Sequence, residues 1–420
     1  MSANQRFKSA KSPFMMYWSG QTLSNLGGAF TMFALPLLVY KLTGSALSLS
    51  LTFVAYDLPY VLFGLLIGAW VDRVNRKRLM ILTDAARAGI LCVLPVLAMA
   101  HLLAVWHIYL AAFLLSTLSY AFNTAEFAAV PSLVGADELL RANGRIQASF
   151  SATAVVGPLL AGVLIFILPL SALLFVDAAS FGVSLVTLAL IRVSFNQTTD
   201  AAPANLGQAI QEGVRYVVGH PVLRNVCIMM ALINVFATVA NTQLVFFAKA
   251  RYHASDAQVA WLFAAGGVGA VIFALLAEVL RKRWAFSRVA LGAIFLFGVG
   301  TVLLASAPWF GVALVWWAGI SGLGVLFNIN FTSLWQGIVP NQLLGRVLSV
   351  ATVLAWAANP VGSFMGGVAI ERTQNVALVY GVSGILISLI AVGFMFSSIA
   401  HAERYLMPEQ AEVPVPSAVG

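Results

Sequence analysis

The chain alternates long apolar runs with short polar links. The run at 42–71 carries one charge, Asp57, and the run at 79–136 carries only Asp84, Arg87 and Glu126. Between them stand five charges, Asp72, Arg73, Arg76, Lys77 and Arg78. A soluble fold cannot hide apolar surface on both sides of so short a link. Two helices crossing a bilayer do so by geometry, with the basic link in the cytoplasm. A spanning helix needs about 20 apolar residues. Cutting the runs at charges, Pro and Gly predicts twelve spans, at 14–40, 46–71, 79–102, 106–130, 146–168, 171–192, 222–248, 257–280, 287–307, 309–335, 347–370 and 376–399. The least obvious cut lies in 289–345, a run of 57 residues without one Asp, Glu, Lys or Arg. It is placed at Ala307-Pro308-Trp309, because Pro interrupts helices and Trp favours the membrane interface. The predicted class is an all-α integral membrane protein.

Composition agrees. The 420 residues are 61% hydrophobic and 9% charged, against roughly 25% charged in a soluble domain. The net charge of +8 does not point to nucleic acid, because the basic residues punctuate apolar runs instead of gathering on one face. Cys92 and Cys227 both lie inside apolar runs, so neither a disulfide framework nor a metal site is expected. No cofactor is implied, and the absence of a P-loop argues against ATP as the driving force. The first apolar run is too long for a cleavable signal peptide.

Orientation follows from counting Lys and Arg. With both termini in the cytoplasm, eighteen fall inside and four outside (Lys41, Lys249, Arg251 and Arg372), with Arg87 inside a span. The expected organisation is a cytoplasmic tail at 1–13, six spans over 14–193, a cytoplasmic linker at 194–221, six more spans over 222–400 and a flexible tail at 401–420. Within the linker, 196–205 reads as disordered and 207–219 as a short amphipathic surface helix. The halves repeat. Val130-Pro131, Gly144-Arg145 and Gly157-Pro158 have counterparts in Val339-Pro340, Gly345-Arg346 and Asn359-Pro360, about two hundred residues on. Arg76-Lys77-Arg78 has its counterpart in Arg281-Lys282-Arg283.

Gly68-x-x-x-Asp72-Arg73-x-x-Arg76-Lys77-Arg78, together with the parallel six-span repeats, resembles the major facilitator superfamily. Further motifs narrow the resemblance: Leu37-Leu38-Val39-Tyr40-Lys41-Leu42-Thr43-Gly44-Ser45, Asp84-x-x-Arg87, Glu138-Leu139-Leu140-Arg141-Ala142-Asn143, and Gly213-Val214-Arg215-Tyr216 before His220-Pro221. They are similar to bacterial exporters related to macrolide-efflux proteins and the enterobactin exporter, over nearly the whole chain. The resemblance implies proton-driven export across the bacterial inner membrane. The chain departs from that pattern in lacking an Arg in the middle of the fourth span, and in holding Glu126 where relatives often have a basic residue.

The resemblance also implies that spans one, four, seven and ten line a central cavity. Gln21, Asn25, Asn123, Asn234, Asn241, Gln243, Asn328 and Asn330 lie on them. An amide facing lipid is costly, so these either bind substrate or join helices. Intramembrane charges are the sharper signal. Asp57 lies ~13 Å into the second span and Asp177 ~9 Å into the sixth, at 1.5 Å per residue. Asp57, Glu126 and Asp177 are the candidates for proton coupling, with Asp57 closest to the midplane. Asp84 and Arg87, three apart, read as a self-neutralising structural pair. The resemblance assigns Asp72 a gating role beside Arg346 at the start of the eleventh span, supported by Arg73, Arg76, Lys77 and Arg78. Gly64 and Gly68 read as sites of close helix approach.

The sequence thus points to a monomeric proton antiporter that exports amphipathic drug-like molecules by alternating access. Its partners are a small-molecule substrate, protons and the lipid bilayer. The alternatives are a siderophore exporter or a lysophospholipid carrier of the same fold, or a non-transporting membrane sensor or accessory subunit. A lipid-modifying enzyme would need clustered His, Asp or Ser near one interface, which the chain does not show.

Overall fold

The computed structural model describes residues 13–71, 73–134, 138–196 and 206–405. Helices form wherever the sequence is apolar for long enough. Twelve are long and apolar enough to cross a membrane, because in lipid a helix satisfies its own backbone groups. The first six spans are α1 (Pro13–Thr43), α2 (Ala46–Val71), α3 (Arg76–Met99), α4 (Val105–Leu133), α5 (Leu139–Leu164) and α6 (Ala172–Leu190). The linker helix is α7 (Leu206–Gly219). The second half continues with α8 (Pro221–Thr242), α9 (Leu244–Tyr252), α10 (Asp256–Arg283), α11 (Phe286–Ala305) and α12 (Phe310–Ile338). It ends with α13 (Asn341–Trp356), α14 (Ala358–Thr373) and α15 (Val376–Met395). The charge-free run divides between Ala305 and Phe310, at the Pro308-Trp309 step.

Local signals set the ends. Asn75 caps α3 by accepting from the Arg78 amide at 3.0 Å. Ser255 and Gln258 form a capping box on α10. Between α1 and α2 the chain turns at Gly44, whose φ of +61° suits glycine. Two spans are broken. Pro360 has no N–H for the carbonyl four residues back, and the eleventh span divides at Ala357 into α13 and α14. The seventh divides at Gln243 into α8 and α9.

The halves pack by the same plan. In the first, α1 packs on α5 and α6, α2 on α4, and α3 on α4 and α6. In the second, α8 packs on α14 and α15, α10 on α12, and α11 on α12 and α15. Each helix pair of one half thus has its equivalent in the other, the arrangement of parallel repeats. The halves meet along α2 against α14 and α5 against α10.

The expected linker helix forms at Leu206–Gly219, and two other expectations change. The linker helix packs on α13 and α8, and the Tyr216 hydroxyl donates to the Ile338 carbonyl at 3.4 Å. Asn196, expected in a disordered stretch, accepts from the Arg76 amide at 3.0 Å and donates to the Val74 carbonyl at 3.0 Å. Residues 197–205, 1–12 and 406–420 lie outside the described residues. The tail expected to be flexible from 401 instead begins in a 3-10 turn, Ser398–Tyr405, with Ile399 and Ala402 buried. Glu403 in that turn accepts from the amide and hydroxyl of Ser287 at 2.8 and 2.9 Å.

Candidate functional site

The site is built where the two halves meet. At the end marked by the Gly44 turn they are tied together. Gln243, fully buried at the break in the seventh span, donates to the Ala46 carbonyl at 2.8 Å and to Ser50 Oγ at 2.6 Å. Ser45 Oγ donates to Glu371 at 3.2 Å. Lys41 pairs with Asp256 at 2.5 Å, and Lys249 holds the other carboxylate oxygen at 2.6 Å. Tyr40 packs edge-on against Phe246, and Phe33 against Phe263. Gly367 lies so close to α2 that a Cβ there would sit 2.4 Å from Ser50 Oγ and 3.1 Å from Leu47 Cα.

Further along the same seam the contacts become aromatic. Tyr60 of α2 stands edge-on to Tyr120 of α4, with ring centroids 4.9 Å apart, and 5.6 Å from Trp356 of α13. Tyr120 Oη donates to the Gly64 carbonyl at 3.2 Å. Asp57 lies one turn from Tyr60. Ser50, Asp57 and Gly64 are spaced by seven and share one face of α2. Leu62, Leu66 and Trp70 are exposed on the opposite face. Asp57 is half-buried and has no hydrogen bond or ion pair among the described residues.

The other intramembrane charges are engaged. Glu126 accepts from the Tyr17 hydroxyl. Asp177 accepts from Thr31 and from Ser180, the latter at 3.1 Å. Asp84 pairs with Arg87 and accepts from Ser184 at 2.6 Å. Gln21 donates to Ser184 at 2.7 Å, so α1, α3 and α6 share one network. Arg87 lies between the rings of Phe122 and Phe181, 4.6 and 4.3 Å from their centroids. Such a buried pair punishes removal of one partner, because it strands the other charge. Arg87→Leu is therefore expected to destabilise the folded protein by about 3–5 kcal/mol. The check is its unfolding temperature in detergent, beside the double variant Asp84→Asn/Arg87→Leu, which recovers part of the loss.

The amides divide into two groups. Gln21 and Asn330 are buried, and Asn234 donates to the Ala355 carbonyl at 2.8 Å beside the break in the eleventh span. These join helices. Asn123, Asn241 and Asn328 are exposed, and Asn25 is partly so. Asn328 continues into a stripe with Thr332 and Gln336, both exposed and one turn apart. Polar groups left exposed within a spanning helix are costly against lipid. Two apolar clefts, between α8, α14 and α15 and between α11 and α15, hold almost no polar groups and lie away from this seam.

The predicted gate is only partly described. Asp72 lies outside the described residues, and the Arg346 side chain is likewise outside them. Arg73 and Arg78 are exposed. Lys77 Nζ donates to the carbonyls of Ala189 and Ile191, and Arg76 Nη1 to that of Ala128 at 3.1 Å. Ala189 and Ile191 close α6, where cations are favoured, and Ala128 lies more than a turn before the end of α4. Among the described residues a Cβ at Gly68 would meet nothing within 4 Å, and at Gly64 it would make only ordinary contact, so neither shows the close approach expected.

Comparison with known proteins now bears on the architecture. A family sequence model matches residues 17–357, and its family is the Major Facilitator Superfamily. The chain belongs to that superfamily. Macrolide efflux protein A of Streptococcus pyogenes is 26% identical over 398 residues, covering 92% of this chain and 96% of that one. The multidrug efflux pump Tap of Mycolicibacterium fortuitum is 26% identical, covering 85% and 89%. The crystal structure of the nucleoside transporter NupG superposes with a TM-score of 0.72 at 15% identity, covering 91% and 98%. This major facilitator chain is therefore a multi-pass protein of the bacterial inner membrane and a transporter of small molecules, not an enzyme.

Sequence reasoning found the single charges and missed the seam. Tyr60, Tyr120 and Trp356 come from three helices of two halves, and no local spacing sets them apart from the other aromatics. Lys41 was read only for orientation and as part of a motif, and Asp256 was not singled out. Gln243 was legible as an amide on the seventh span, but its partners 193 and 197 residues away were not.

Proposed function

We propose that this protein exports amphipathic drug-like small molecules by alternating access, in exchange for protons. The observation that carries the reading is the seam itself: halves clamped at the Gly44 end, with an unpartnered carboxylate, Asp57, just inside the clamp. The names of the relatives, a macrolide efflux protein and a multidrug pump, supply the direction and the kind of cargo. With both termini in the cytoplasm, as the Lys and Arg count favours, the clamped end is the outer one. The described state then opens inward, ready to load.

In this reading Asp57 is the first choice for proton exchange. It alone of the three candidate carboxyls lacks a partner, so its charge can change without breaking a bond. Glu126 and Asp177 serve first to hold α4 and α6 on α1. Asp72 and Arg346 stay the proposed latch for the opposite, outward-open state, and Arg76 and Lys77 anchor that loop. The exposed amides Asn25, Asn123, Asn241 and Asn328 offer hydrogen bonds to cargo. The test is export of a panel of lipophilic dyes and antibiotics from efflux-deficient cells, with and without an uncoupler. Export that stops with the uncoupler supports the reading; export of none of the panel by well-expressed protein overturns it.

The Lys41–Asp256–Lys249 cluster is a partly exposed ion pair across the outer end, and such pairs contribute about 0–1 kcal/mol. Asp256→Asn is therefore expected to loosen closure only a few-fold. The readout is the rate at which an impermeant thiol reagent labels a cysteine placed at Ser45. That difference shrinks in high salt, which screens exposed charge.

A further inference from the structure

We infer that Asp57, Tyr60, Tyr120 and Trp356 form a subsite for a monovalent organic cation, split between the two halves. This deepens the exporter reading and rests on it for the route the cation takes.

The geometry is set by two helices running antiparallel across the seam. Gly367 of α14 meets Leu47 and Ser50 of α2, and Trp356 of α13 meets Tyr60. Interpolating between these contacts sets Asp57 opposite the break in the eleventh span, near Asn359. Asn359 is occupied on its other side, where its carbonyl oxygen accepts from Thr238 at 3.1 Å. The break is held from behind by Asn234 on the Ala355 carbonyl. Asp57 therefore faces the seam, between the closed end and the aromatic rings.

A carboxylate within the membrane is costly unless something compensates it. The cation nearest in kind, Arg87, is already committed to Asp84 and is enclosed by two phenyl rings. Lys41 and Lys249 are both held by Asp256 at the outer rim. No side chain among the described residues neutralises Asp57, which leaves that task to a proton or, in exchange for it, to cargo. The rings beside it suit a cation. Tyr60 and Trp356 lie 35° apart in plane, Tyr60 and Tyr120 stand edge-on, and Trp356 remains half exposed. Aromatic faces attract organic cations, most strongly where water is thin. Tyr120 is held in place by its bond to the Gly64 carbonyl. The chemistry selects a bulky, weakly hydrated, singly charged cation over a neutral or anionic molecule of equal size. Because Trp356 belongs to one half and Asp57 to the other, the occupant contacts both moving parts.

The test measures binding to purified full-length protein in lipid nanodiscs, by equilibrium dialysis. The probes are tetraphenylphosphonium and tetraphenylborate, alike in shape and opposite in charge. Wild type is expected to bind the cation at least about tenfold more tightly than the anion, with both corrected for empty nanodiscs. Asp57→Asn should abolish that preference, Asp57→Glu should keep most of it, and Trp356→Leu should weaken the cation more than the anion. Equal affinity for the two probes in wild type, or an unchanged preference in correctly folded Asp57→Asn, overturns the subsite. Cellular export of neutral compounds without a cation preference would sink the subsite and leave the exporter reading standing. Cation binding without export of anything would do the reverse.

Discussion

Asp57→Asn is expected to reduce uphill export to the background of cells lacking the protein, while the variant still inserts and folds. The substitution keeps the side chain's shape and removes only its ability to carry charge and a proton. It breaks no bond, because Asp57 has no partner among the described residues. Down a substrate gradient the variant should still conduct an uncharged substrate, since the halves and their seam are untouched. Asp177→Asn and Glu126→Gln should act differently. Each disturbs an existing bond, to Thr31 or to Tyr17, so part of their effect should appear as lost thermal stability. Uphill export by well-expressed Asp57→Asn at the wild-type rate would move the proton site elsewhere.

Gly367→Leu is expected to have the next largest effect, through packing alone. A Cβ at Gly367 meets Ser50 at under 3 Å and the Leu47 backbone at 3.1 Å, so the clamp cannot close around it. Overpacking of this kind costs about 1–3 kcal/mol, and more where the obstacle is backbone. Each 1.4 kcal/mol shifts a two-state balance about tenfold. The variant should therefore populate the state open at the Gly44 end, label rapidly with an impermeant thiol reagent at an introduced Ser45→Cys, and export poorly. Gly68→Ala is the control, because a Cβ there meets nothing within 4 Å among the described residues. Equal labelling of Gly367→Leu and wild type would show that the Gly367 contact does not govern closure.

Much of the fold was legible because lipid leaves so few choices. A backbone that must satisfy itself becomes helix wherever an apolar run is long enough, and the repeated motifs announced two equivalent halves. The eleventh span was read as continuous over 347–370, although Pro360 marks the break that divides it. The break at Gln243 was not legible, since neither Pro nor Gly marks it and its cause is a contact with the other half. The site divides the same way. Asp84 and Arg87 pair across three residues, and their spacing showed it. Gln21 meets Ser184 across 163 residues, and nothing local predicts that. Gly68 and Gly367 look alike in sequence, yet only one lies against backbone across the seam. Asp57 was singled out as a charge at membrane depth, but its lack of a partner needed the neighbouring helices to be in place.

The most direct test of proton-driven export uses inside-out membrane vesicles loaded with this protein. An acid-inside pH gradient is imposed, and accumulation of a lipophilic dye is followed by fluorescence. The account predicts accumulation above that of vesicles without the protein, collapse when nigericin dissipates the gradient, and no accumulation with Asp57→Asn. Accumulation that ignores the gradient, or none for any dye with folded protein present, would contradict it.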